Sequence, residues 1–104
     1  MNQRQLQQMA QQMQQMQRKM EKIQEELANE TVEGSAGSYV SVTMNGHREL
    51  QSIRLAPEVV DPDDVETLQE LIVAAINDAS KKAQELSEKR MGALTGGMKM
   101  PGLF

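Results

Sequence analysis

The sequence has no cysteine and no tryptophan, and of its 104 residues only Tyr39 and Phe104 are aromatic. Without cysteine there is no disulfide framework and no thiolate chemistry. That absence fits a reducing compartment, and the cytoplasm is the expected location. With so little aromatic area, the apolar supply is Met, Leu, Ile, Val and Ala. A chain this short buries roughly 60–65% of its unfolded surface when it folds alone, so sharing a core with a second copy brings a large gain. No run of 18 apolar residues exists, which excludes a membrane-spanning helix. The start of the chain lacks the apolar stretch of a signal peptide.

Charge of either sign is modest in total, with a net of −4. Taken as a sum, this disfavours a nucleic-acid partner, because phosphates are bound by Lys and Arg. The distribution says otherwise. Residues 1–22 carry Arg4, Arg18, Lys19 and Lys22 against Glu21, a net of +3. Residues 23–80 carry two bases against twelve acids, a net of −10. Residues 81–104 carry Lys81, Lys82, Lys89, Arg90 and Lys99 against Glu85 and Glu88, again +3. Both ends are basic and the middle is acidic, a pattern that hides a binding surface inside an acidic total.

Glycine and proline are absent from residues 2–30. There Leu6, Met9, Met13, Met16, Met20, Ile23 and Leu27 recur at spacings of 3 and 4, an unbroken heptad seam. Good helix formers fill the other positions, nine of the first 17 residues being Gln. The spacing predicts a helix over 3–29 whose narrow apolar stripe lies against another helix. The period then falls to two: Val40, Val42 and Met44 alternate with Tyr39, Ser41 and Thr43. Asn45-Gly46 predicts a type I′ hairpin, and a return strand over 47–55 changes parity near Gln51-Ser52, as a bulge does. Residues 32–36 suit a third short strand, with Gly34 and Gly37 making a bend. A sheet of two or three strands needs a helix or a partner sheet across one face. Asp61 and Pro62 read as the cap and first position of a second helix over 62–90, covering the sheet with its first half and ended by Gly92. Residues 91–104, rich in glycine, read as a flexible tail after a domain of residues 1–90. The fold class is α+β: long helix, small antiparallel sheet, second long helix. The basic segments fall at the outer ends of the two helices.

Several segments together resemble the YbaB/EbfC family. They are QRKMEKIQEELA (17–28), TVEGSAG (31–37), VSVTMNG (40–46), the stretch IRLAPEVVDPDDVETLQELIVAAINDA (53–79) and the tail MGALTGGMKMPGLF (91–104). Their order and spacing carry the likeness over nearly the whole chain. It implies an intertwined homodimer with helical arms projecting from a joined sheet, binding double-stranded DNA at the nucleoid with little sequence preference. The family has no single base-reading motif to carry over residue by residue.

Candidate DNA contacts are therefore Lys81, Lys82, Lys89 and Arg90, then Arg18, Lys19, Lys22 and Arg4. The competing reading is a solvated helix face laced with i,i+4 pairs such as Lys22–Glu26, Lys81–Glu85 and Glu85–Lys89. No aromatic interleaves with the bases, so no stacking platform for single strands is expected, and binding should be led by the phosphate backbone. The expected dimer interface is Val40, Val42, Met44, Ile53 and Leu55 on the sheet with Met16, Met20 and Ile23 on the seam. The methionine series reads as packing ahead of a Cu(I) site. His47 alone makes no metal site, and Asp61, Asp63 and Asp64 read as helix capping. No catalytic constellation, cofactor site, small-molecule site or metal site is expected. Leu94, Met98, Leu103 and Phe104 are candidate docking residues of the tail. The alternative function is a prefoldin-like holdase or an interaction scaffold without DNA affinity.

Overall fold

In the computed structural model, which describes residues 2–94, the first helix α1 spans Gln3–Asn29. Asn2 caps it, its side chain accepting the Gln5 N–H at 2.9 Å, which satisfies one of the amides a helix start leaves free. Strands β1 (Thr31–Ala36), β2 (Val40–Asn45) and β3 (Leu50–Leu55) follow and pair antiparallel in the order β1-β2-β3. A 3₁₀ turn at Pro57–Val59 leads to the second helix α2, Val65–Leu94.

The core is a helix laid on two strands. Ala75, Ala79 and Ala83 recur every four residues on α2 and are fully buried. They pack against Val40, Val42 and Met44 of β2, all nearly inaccessible. Leu71, Ile72 and Ile76 flank them. The stretch of α2 that covers the sheet is thus its middle, about 71–83, because the small alanines there let helix and sheet approach closely. Gly34 sits in mid-strand opposite Val42 and not at a bend. A Cβ at Gly34 would lie 2.3 Å from the Ala75 carbonyl oxygen and 2.4 Å from the Ala79 nitrogen. The bend falls at Gly37, which has φ +57°.

The β2–β3 hairpin differs from the type I′ expectation. Arg48, not Gly46, takes the left-handed conformation (φ 63°). The Arg48 N–H donates to the Asn45 carbonyl at 3.0 Å, and the Asn45 N–H to the Glu49 carbonyl at 3.0 Å. The loop is longer because Gly46 is recruited elsewhere. Its N–H donates to the Leu27 and Glu30 carbonyls at the end of α1 (2.8 and 3.0 Å), and a Cβ there would stand 2.7 Å from the Leu27 oxygen. Asn45, itself buried, completes the joint. Its amide donates to the Ala28 carbonyl and to Glu49 Oε1, and its oxygen accepts from the His47 and Glu49 amides. The parity change falls where expected: Thr43 faces Ser52 and Met44 faces Leu50, leaving Gln51 unopposed.

The boundaries of α2 also differ. Asp64 supplies the cap, accepting the Thr67 N–H and hydroxyl. Asp61 instead closes the turn before it, accepting the Asp63 N–H through its side chain and the Asp64 N–H through its carbonyl. At the far end the helix runs through Gly92 to Leu94. Ala93 and Leu94 lie beside Lys22 and Ile23 of α1, and that packing outweighs the roughly 1 kcal/mol cost of an interior glycine. The tail from residue 95, including Met98, Lys99, Leu103 and Phe104, lies outside the described residues.

Only Leu27 of α1 is buried. Leu6, Met9, Met13 and Met16 lie along the helix about half exposed, Met13 most at 65%. The molecule measures 74 × 25 × 16 Å with a radius of gyration of 20.1 Å, against about 13 Å for a compact chain of this length. The first helix is an arm.

Candidate nucleic-acid interface

The arm sets the geometry. At about 100° per residue, Arg4, Arg18 and Lys22 fall on one strip of α1, with Lys19 at its margin and the methionine seam on the opposite side. All four cations are exposed. A helix with this arrangement presents bases to one neighbour and apolar surface to another.

The end of α2 runs back along the base of α1, so that rising numbers on α2 meet falling numbers on α1. Lys19 and Lys22 line a cleft of ≈ 230 Å³ with Arg90 at its wall.

 Lys89 and Arg90 line a neighbouring cleft of ≈ 560 Å³ with Glu30 and Thr31. The crossing of the two helices therefore gathers Lys19, Lys22, Lys89 and Arg90. Arg4 stands roughly 22 Å further out along the arm, at 1.5 Å per residue from Lys19.

These cations are not equivalent. Arg90 is held by two carboxylates of α1, its Nη1 lying 3.4 Å from Glu26 Oε2 and its Nε 3.3 Å from Glu30 Oε2, with a further ion pair from Nη2 to Glu30 Oε1. It is a clasp between the helices. Lys82 is likewise engaged, at 3.3 Å from Asp78 and 2.9 Å from the Glu33 carbonyl. Among the described residues, no ion pair engages Arg4, Arg18, Lys19, Lys22, Lys81 or Lys89. The expected pairs Lys22–Glu26, Lys81–Glu85 and Glu85–Lys89 are not formed. Glu26 turns to Arg90, and the i,i+4 bridge that does form is Asp78–Lys82.

The acids collect elsewhere. Glu58, Asp61, Asp63, Asp64, Glu66 and Glu70 surround the start of α2, roughly 36 Å along that helix from Lys89. The acids thus cluster at the start of α2, and the exposed cations without ion pairs lie on the arm and along the second half of α2. His47 is structural, its Nε2 lying 2.8 Å from the Gln24 carbonyl of α1. Asp78 has its carboxyl held below the ordinary carboxylate range, first by the Ser35 N–H it accepts and then by Lys82.

The sheet residues expected at a dimer interface divide in two. Val40, Val42 and Met44 are covered by their own α2, whereas Ile53 and Leu55 of β3 are about two-fifths exposed. On the seam, Met16 is exposed and Met20 and Ile23 are half-buried. Sequence reasoning missed the Arg90 clasp, the Asp78–Ser35 bond and Arg48, whose guanidinium donates to Gln84 Oε1 at 2.6 Å. Each joins residues more than 30 positions apart, which no local pattern signals.

Residues 1–98 match the model of the YbaB/EbfC DNA-binding family. The chain is 76% identical to a nucleoid-associated protein of Roseiflexus sp. (strain RS-1) over 102 residues, covering 98% of this chain and 99% of that one. It is 67% identical to a nucleoid-associated protein of Chloroflexus aurantiacus over the full length of both. The fold is shared with an uncharacterized protein from Helicobacter pylori, at a TM-score of 0.77 and 23% identity over 92% of this chain and 99% of that one. None of the family and relative names denotes an enzyme class.

Proposed function

The chain belongs to the YbaB/EbfC DNA-binding family of nucleoid-associated proteins, and from that premise we propose that it binds double-stranded DNA as a homodimer with little sequence preference, in the cytoplasm and on the nucleoid. The observation that carries this reading is the set of exposed cations without ion pairs on the arm and at the crossing, set apart from the acidic start of α2. Lys19, Lys22, Lys81 and Lys89 meet phosphates, with Arg18 and Arg4 extending the contact along the arm. Arg90 and Lys82, named with them from sequence, act by holding the helices in place. Phosphate contacts position a protein without reading bases, so sequence preference is weak. A bound pair of arms on one duplex alters its path and so bears on nucleoid organisation and gene expression. The homodimer rests on the half-exposed methionine seam and on the open apolar residues of β3, both of which a second copy covers.

The test is anisotropy of a labelled duplex of about 30 bp, titrated from about 50 to 300 mM salt. Two copies with four such cations each make about eight phosphate contacts, for a log–log slope near −7. Changing Lys19, Lys22, Lys81 and Lys89 to Ala is expected to remove most of that slope. Absence of binding at the lowest salt overturns the reading. The exposed seam at Leu6, Met9 and Met13 favours a second reading, a clamp that holds unfolded chains. That reading expects suppression of aggregation of a denatured client, unchanged by the four substitutions.

A further inference from the structure

The two edges of the sheet are finished differently. An outer strand carries N–H and C=O groups that no neighbouring strand takes, and such a row is a template for strand addition. On β1 two of these groups are taken by side chains of α2. The Ser35 N–H donates to Asp78 Oδ2 at 3.0 Å, and the Glu33 carbonyl accepts from Lys82 Nζ at 2.9 Å. Antiparallel pairing directs the groups of alternate residues to the same side, so residues 33 and 35 both face outward while Gly34 turns towards β2. Asp78 and Lys82 stand one helical turn apart and bridge each other at 3.3 Å. They arrive at the edge as an acceptor and a donor, matched to the two strand groups they cover. Gly34 makes the reach possible by letting α2 settle against β1.

β3 has no such cover. Among the described residues, no side chain of either helix bonds to its backbone. Leu50, Ile53 and Leu55 oppose Met44, Val42 and Val40, so their side chains lie on the face that α2 covers over β1 and β2, yet each is about two-fifths exposed.

We propose that the Asp78–Lys82 pair is a lock on the β1 edge, which denies strand addition there and confines pairing with a second copy to β3. The consequence follows from symmetry. With both edges open, β1 of one copy adds to β3 of the next and the array never closes. With one edge open, β3 meets β3 and the assembly stops at two. This deepens the homodimer reading and rests on it.

Sedimentation of the full chain across a range of concentrations tests the lock. The wild type is expected at twice the chain mass. Asp78→Ala with Lys82→Ala is expected to grow with concentration into assemblies of four chains and more. Adding Ser35→Pro removes the N–H an incoming strand requires, which an edge position tolerates, and is expected to restore the wild-type size. Lys82→Ala alone touches no buried group and is expected to show weaker growth. Folded variants that all stay at wild-type size overturn the lock. A wild type that stays monomeric overturns the dimer reading instead. The lock is then judged by amide exchange: Ser35 protected in wild type and fast in Asp78→Ala supports it, and Ser35 fast in both overturns it.

Discussion

α1 and α2 are close in length, 27 and 30 residues, but are held by opposite means. α2 has a stripe of small residues, Ala75, Ala79 and Ala83, pressed onto the sheet and fully buried. α1 has a stripe of long flexible residues with only Leu27 buried, and Leu6, Met9, Met13 and Met16 stand about half exposed. Alanines permit close approach and leave little to expose. Methionines offer a large, adaptable surface that needs a partner. Isolated helices are marginal in water; α2 is stabilised by its own sheet, whereas the outer part of α1 has no such cover among the described residues and depends on the second copy proposed above.

The sharpest way to break this comparison is at Gly34. A Cβ there meets backbone atoms of α2, which cannot move aside as a side chain tip can. Gly34→Ala is expected to exceed the usual overpacking cost of about 1–3 kcal/mol and to unfold sheet and α2 together, read by chemical denaturation. A variant with a near wild-type midpoint sinks the close-packing account. Leu27→Ala is the matching test on α1, with an expected cost of about 2–5 kcal/mol for an emptied buried site. Amide protection should fall along α1 and at Gly46 while the amides under α2 keep theirs. Equal loss in both regions would mean that the helices are not separately held.

The smallest effect concerns pH. Asp78 has a folded pKa below its ordinary 3.8, so its contribution is present above that value and is lost as the pH falls through the lower folded one. Stability of wild type is expected to decline slightly more steeply below about pH 4 than that of Asp78→Asn, and the Ser35 amide should shift in the same window. Identical acid profiles for the two proteins would count against the bond.

Much of the fold was legible because it is written in local periods. The 3–4 spacing from Leu6 to Leu27 marks α1, and the alternation from Val40 to Met44 marks β2. The change of parity after Leu50 marks the bulge at Gln51. The basic ends were legible too, since charge is counted directly. What misled was punctuation with a second use. Gly46 and Gly34 looked like turn residues and are points of close contact, and Gly92 lies within a helix that neighbouring packing extends.

The sequence by itself determined the order and type of the elements, the apolar seam of the arm and the basic character of both helix ends, because these depend on residues a few positions apart. Only the tertiary structure decided which cations stay free. Arg90 and Lys89 are neighbours in sequence, yet one is clasped by Glu26 and Glu30 and the other is not. It also decided which sheet edge is closed. Both outcomes rest on charges and amides brought together from 43 to 64 residues apart, and a carboxylate acts on whatever lies within a few ångströms, whatever its place in the chain.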